Sequence, residues 1–184
     1  MADLFDTLVE GLISREGGYV NNSNDTGRET IWGITRGVAR ENGYAGAMAA
    51  MTRGQAKALY RAKYWAKPGL YLIAPLSAKI AEELLDTGVN MGTGTAGTFL
   101  QRALNALNGQ GRDYADVLVD GGIGPGTAGA LKALLGKRGA AGEAVVLKAL
   151  NCLQGARYIE LAEGRAANET FEFGWLANRV ALAA

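Results

Sequence analysis

The chain has 184 residues, a formal net charge of +1 and 48% hydrophobic residues, enough apolar material for one ordinary domain or one with a smaller lobe. Its 19 Lys and Arg are balanced by 18 Asp and Glu, which excludes a dedicated nucleic-acid surface with a basic stripe. The absence of histidine excludes His-based triads and conventional zinc sites, and the single Cys152 excludes an intrachain disulfide, so serine hydrolases and zinc amidases drop out.

Leu4, Phe5, Leu8, Val9, Leu12 and Ile13 recur at helical spacing and predict an amphipathic helix over residues 3–15 with one apolar stripe. This opening has no basic segment ahead of a continuous apolar core, so it does not read as a signal peptide. No stretch reaches the ~18 apolar residues that span a bilayer. The next position on the stripe is Glu16, followed by Gly17-Gly18-Tyr19, where the helix must end. A carboxyl at the end of a core-facing stripe is partly desolvated, which raises its pKa toward that of a general acid near neutral pH. On position alone, a terminal Glu turned outward to solvent is an equally open alternative.

The segment from Glu16 to Thr35, EGGYVNNSNDTGRETIWGIT, is dense in Gly, Asn, Asp, Ser and Thr and predicts a loop or short hairpin. Asp25 follows Glu16 by nine residues and Thr30 follows Asp25 by five. A loop returning from a helix end can set Asp25 across a cleft from Glu16. Two carboxylates in unlike surroundings are how a glycosidase separates its acid from its base or nucleophile. Thr30 would then hydrogen-bond the attacking water. Tyr19 and Trp32 offer flat apolar faces that suit sugar rings and loop packing equally well, and Asn22 is counted with them as a substrate contact.

Residues 16–35 resemble the signature of the glycoside hydrolase family 108 N-acetylmuramidases, lysozyme-like enzymes of phages and bacteria. Glu16, Gly17, Gly18, Tyr19, Asn21, Asp25, Gly27, Thr30, Trp32, Gly33, Ile34 and Thr35 all fall on it, and the Glu…Asp…Thr order is similar to the triad of phage-type lysozymes. The resemblance implies Glu16 as catalytic acid, with Asp25 and Thr30 as its partners and no metal or organic cofactor. The chain departs at Ser23 and Thr26, where members often carry Pro, and at Arg28, where they often carry Gly. Losing the prolines loosens the loop, and Arg28 puts a cation near Asp25.

Beyond this segment the pattern is helical. Thr52 with Gln55 forms a capping box opening residues 53–66, whose Arg53, Lys57, Arg61 and Lys63 read as a solvated face. Tyr60, Tyr64 and Trp65 close that helix before Pro68; core packing is their commoner fate, and Tyr64 is kept as a candidate substrate contact. Ser77 is the N-cap of a helix carrying Ile80, Ala81, Leu84 and Leu85 and ending near Asn90, whose amide is either a C-cap or a sugar contact. Thr95 caps another helix with Phe99, Leu100, Ala103, Leu104 and Leu107 inside. Further helices are predicted over 127–137, 141–163 and 169–181, with Cys152 a buried, inert thiol.

Gly92-Thr-Gly-Thr-Ala-Gly97 and Gly124-Pro-Gly-Thr-Ala-Gly129 both fit the dinucleotide pattern G-x-G-x-x-G. The first follows a helical stretch and Pro125 removes a donor from the second, so both read as Gly-rich turns, with Thr95 and Thr127 capping the next helix. Asp120-Gly121-Gly122-Ile123-Gly124-Pro125-Gly126-Thr127 resembles the Asp-Gly-x-x-Gly-x-x-Thr turn of small helical peptidoglycan-binding domains. Phe173-Gly174-Trp175-Leu176-Ala177-Asn178-Arg179-Val180 is similar to the ending of the predicted peptidoglycan domain that follows the muramidase part in this family.

The expected architecture is mainly α, a lysozyme-like helical fold with an active-site loop or short hairpin after the first helix. Residues 1–90 form the muramidase part and 91–184 a helical peptidoglycan-binding part; with no Pro- or Ser-rich linker near residue 90, one compact body is expected. The expected activity is endolysin-type hydrolysis of the β-1,4 bond between N-acetylmuramic acid and N-acetylglucosamine. Peptidoglycan glycan strands are the expected partner of a monomer that binds no nucleic acid and does not insert into membranes. Without an export signal, it would pass from the host cytoplasm to the periplasmic wall with help from a holin-type partner. The alternatives are a lytic transglycosylase using Glu16 alone, a non-catalytic wall-binding or secretion-associated protein, and a helical scaffold.

Overall fold

The first apolar stripe becomes helix α1, Leu4–Glu16, in which Phe5, Val9 and Ile13 are fully buried. The computed structural model describes residues 4–21, 29–165 and 168–180, with the side chains of Arg15 and Glu16 left out. The chain divides into two compact units, residues 1–67 and 68–184, and the fold is mainly α with one small sheet.

In the first unit α1 ends at Gly17, whose φ of +77° is the left-handed geometry that closes helices most easily at glycine. Three short strands follow: β1 (Val20–Asn21), β2 (Glu29–Ile31) and β3 (Ile34–Thr35), antiparallel in the order β1-β2-β3. The segment expected to be a loop or short hairpin is therefore a small three-stranded sheet among its described residues. Thr30 pairs with Val20 on one side and Thr35 on the other. Trp32 (φ 54°) and Gly33 (φ 74°) make the two-residue turn from β2 to β3, both left-handed, which matches the right-handed twist of the strands. Thr35 caps helix α2 (Arg36–Glu41), its hydroxyl accepting from the Val38 amide at 3.3 Å.

Helix α3 (Arg53–Tyr60) opens with the expected capping box: the Gln55 amide donates to Thr52 Oγ1 at 3.2 Å and the Thr52 amide to Gln55 Oε1 at 2.9 Å. It runs on as a π-helical segment over Arg61–Ala66. Tyr60 and Trp65 are buried, and Trp65 meets the Phe5 ring edge-on at 5.5 Å, so two of the three closing aromatics are core. The basic face of α3 is ion-paired with α1: Arg53 and Lys57 hold Glu10, and Arg61 reaches Asp6 at 3.3 Å.

The second unit comprises α4 (Leu70–Ile73), α5 (Ala78–Met91), α6 (Thr93–Leu107), α7 (Pro125–Gly164) and α8 (Glu169–Arg179). Ser77 caps α5 as expected, accepting from the Ile80 amide at 3.0 Å. The break at Gly139 (φ 55°, ψ −142°) divides α7 between the two helices read from the pattern. None of its helices, nor any other among the described residues, is long and apolar enough to cross a membrane.

Three local expectations fail, two of them for one kind of reason. Gly92, at φ 93°, is both the C-cap of α5 and the N-cap of α6, so Thr95 does not cap and, of the two readings of Asn90, the C-cap falls away; Thr95 Oγ1 instead donates to the Met91 carbonyl at 3.0 Å. Gly124 takes the N-cap of α7 because Pro125 already supplies the first helical position, which leaves Thr127 buried inside the helix. Cys152 is exposed: Asn151, Gln154 and Tyr158 take the buried face of α7, and the apolar run around the cysteine did not reveal which face was inside.

The α5–α7–α8 junction holds an acid that must titrate. Burial, then the charge of Asp86, pushes Glu83 up to about 7, against weaker opposition from hydrogen bonds to Asn151 and Thr87. Its Oε1 and both oxygens of Glu172 on α8 are buried without hydrogen-bond partners, whereas Asp86 is paired with Arg179 at 3.0 Å. A carboxyl whose folded pKa exceeds its unfolded value stabilises the fold fully below the unfolded pKa and loses that contribution as pH rises through the folded one. Thermal melts of wild type and Glu83→Gln should therefore coincide near pH ~4.5, with the variant ahead by about 2 kcal/mol near pH ~8. A difference that does not grow with pH would show that Glu83 is charged in the fold throughout.

Candidate active site

The first unit carries the elements of the sequence-derived site. Glu16 is the last residue of α1, at the backbone position that continues the buried row of Phe5, Val9, Leu12 and Ile13. Asn22 and Asp25 lie outside the described residues, in the connection between β1 and β2. Cross-strand partners project from the same face of a sheet. By this rule Val20, Thr30 and Thr35 share one face, while Asn21, Glu29, Ile31 and Ile34 share the other. Ile31 and Ile34 are buried and Val20 is 56% exposed, so Thr30 stands on the open face of β2, directly after the segment that contains Asp25.

Trp32 is held in an unusual way for a candidate sugar platform. A bulky residue at φ 54° is strained, and it persists only where its surroundings over-determine it. Its indole N–H donates to the Met51 carbonyl at 3.1 Å, its own carbonyl accepts from the Tyr60 hydroxyl at 3.1 Å, and the Arg53 guanidinium lies 5.6 Å from the ring centre. The ring remains half-buried, with its polar handle already used. Tyr64 is also half-buried, tilted against Tyr60 at 5.4 Å and with the Lys63 ammonium 5.3 Å from its ring; burial raises its hydroxyl pKa.

Two residues escaped the sequence reading. Glu29 accepts from the Tyr19 hydroxyl at 2.9 Å and from Arg36 Nη1 at 3.2 Å, and the carboxylate holds the Tyr19 pKa above its usual value. Only the strand register brings these residues together, and composition does not encode it. In the second unit Gln101 is buried; its amide nitrogen donates to Asp120 Oδ1 at 2.8 Å and the Gly122 carbonyl at 2.9 Å, and its oxygen accepts from the Gly121 amide at 2.8 Å. The Gln101 hydrogen bond, then that from the Gly122 amide, lowers the Asp120 pKa. The polar groups of the Asp120–Thr127 turn are thus engaged in building it. A groove of about 360 Å³ runs beside that turn, lined by Asp116, Leu118, Asp120 and Thr127 among others. Asn90, the remaining candidate, is exposed on α5 and donates to the Asp86 carbonyl at 2.8 Å.

Comparison with known proteins matches both halves of the chain to families. The Glycosyl hydrolase 108 family model covers residues 9–92, and the Predicted Peptidoglycan domain model covers residues 95–180. Among solved structures, that of Brucella abortus SagA is similar at a TM-score of 0.69 and 25% identity, over 94% of this chain and 87% of that one. No curated protein sequence matches. The first match runs from within α1 through the sheet and the helices to the end of α5, and the second begins in the first turn of α6. Residues 9–92 are thus a glycosyl hydrolase 108 domain and residues 95–180 a predicted peptidoglycan domain, which makes the chain a glycoside hydrolase acting on peptidoglycan.

Proposed function

We propose that this chain is an N-acetylmuramidase, hydrolysing the β-1,4 bond between N-acetylmuramic acid and N-acetylglucosamine, with Glu16 as its general acid. The observation that carries the reading is the end of α1: a carboxyl residue follows a row of buried apolar side chains and is released by a glycine into the sheet that carries a half-buried Thr30 on the face opposite Ile31 and Ile34. Glu16, protonated, donates to the leaving glycosidic oxygen. Asp25 activates a water or stabilises the oxocarbenium-like transition state, and the Thr30 hydroxyl orients that water. Tyr19, Asn22, Trp32 and Tyr64 are the candidate sugar contacts in this reading, with Asn90 a further candidate. Carboxyl separation decides the stereochemistry, roughly 6.5–9.5 Å for inversion and 5–5.5 Å for retention. In this endolysin-type reading residues 95–180, the predicted peptidoglycan domain, engage the wall while residues 1–90 cut.

Mass spectrometry of fragments released from purified peptidoglycan tests the reading. Reducing ends at N-acetylmuramic acid from wild type, and none from Glu16→Gln, are expected. Anhydro ends would make the enzyme a lytic transglycosylase. No fragments from wild type on walls of several types would leave a binding or secretion-associated protein.

A further inference from the structure

Tyr19 is joined to Glu16 by two glycines, and a Cβ at either would meet nothing within 4 Å. A glycine pair in open surroundings leaves the backbone many conformations, so this link does not by itself set how the chain leaves α1. The first anchored residue beyond it is Tyr19. Its hydroxyl donates to one oxygen of Glu29, and the other oxygen accepts from Arg36. These residues stand just before β1, at the start of β2 and at the start of α2, so the bonds run across the full width of the sheet. Glu29 precedes Thr30 in β2 and projects from the opposite face, which puts the brace behind the strand that presents Thr30.

We propose that Glu29 is a positioning residue: through Tyr19 it fixes the Gly17-Gly18 link, and with it the end of α1 relative to the strand bearing Thr30. The inference rests on the muramidase reading of Glu16. It recasts Tyr19, whose ring suits a sugar, as a strut whose hydroxyl does the holding. Magnitudes separate the two roles. Exposed hydrogen-bonded ion pairs contribute little to folding, whereas a misplacement of ~1 Å in a reacting group costs up to about 100-fold in rate. Breaking the brace should thus leave stability nearly unchanged and act on kcat.

The test is steady-state release of reducing ends from soluble, uncross-linked glycan strands. Tyr19→Phe and Glu29→Ala are each expected to lower kcat about 10-fold, with KM within about 2-fold and Tm within about 2 °C. The double variant should be no slower than either single one, because both break the same chain of bonds. Glu29→Gln, which keeps an acceptor for the Tyr19 hydroxyl, should recover most of kcat. A raised KM with unchanged kcat in Tyr19→Phe would make Tyr19 a substrate contact and overturn the proposal, as would unchanged kinetics or losses that multiply in the double variant. Wild-type activity that survives Glu16→Gln removes the muramidase acid and this inference with it. Activity lost in Glu16→Gln but untouched in Tyr19→Phe removes the brace alone.

Discussion

Glu16→Gln is expected to abolish fragment release from peptidoglycan while leaving the fold intact. An amide matches the carboxyl in shape and cannot donate the proton that the leaving oxygen needs. General acid catalysis contributes typically 10²–10⁴-fold, so a loss of about 1000-fold, about 4 kcal/mol of transition-state stabilisation, is the central expectation. Position 16 ends α1, and the helix core is formed by Phe5, Val9, Leu12 and Ile13, so the melting temperature should shift by less than about 2 °C. Near-wild-type release by a folded variant would remove Glu16 from the chemistry. Asp25→Asn refines the assignment in the same assay. A loss as complete as that of Glu16→Gln makes Asp25 an obligatory base or nucleophile, and a smaller one makes it an orienting or stabilising group.

The parts of the fold that were legible in the sequence are those encoded by local periodicity and local chemistry. The stripe from Phe5 to Ile13 defines α1 because every third or fourth residue is apolar, and Thr52 with Gln55 marks the start of α3 because the two satisfy each other's backbone donors. The small sheet was less legible. Its register depends on the turn at Trp32-Gly33, and left-handed backbone is ordinarily assigned to Gly, Asn or Asp, not to tryptophan. Without that register Tyr19, Glu29 and Arg36 are three unrelated polar residues, and the network that joins them is invisible. Gln101 escaped for the converse reason: a glutamine is ordinarily a surface residue, and only the closed turn at Asp120–Gly122 gives its amide three partners. The caps expected at Thr95 and Thr127 lost to Gly92 and Gly124, since a threonine caps only when no neighbouring glycine or proline has already set the boundary.

Those glycines lead to the largest stability effect expected outside the core. Gly97 of α6 lies where a Cβ would fall 2.1 Å from the Gly121 carbonyl oxygen and 2.6 Å from its carbon. The obstacle is backbone, and no rotamer change relieves it. The approach is reciprocal, because a Cβ on Gly121, at φ 79°, would fall 2.7 Å from the Gly94 carbonyl oxygen. Gly97 and Gln101 are four residues apart on α6 and meet the same turn, so moving the helix away also stretches the three Gln101 hydrogen bonds. This accounts physically for Gly97, the last glycine of the dinucleotide-like run 92–97: it lets two backbones touch, without a phosphate to cradle. Gly97→Ala is expected to cost about 3 kcal/mol, which lowers Tm by roughly 6–12 °C in a chain of this size. Gly94→Ala supplies the opposite sign on the same helix, since its Cβ would meet nothing within 4 Å. There the entropy gained by replacing a helical glycine should leave Tm unchanged or slightly raised. Differential scanning calorimetry of the two variants decides the matter. If Gly97→Ala melts with wild type, α6 and the Asp120 turn can part freely, and the groove beside that turn has no rigid wall against which to hold a wall fragment.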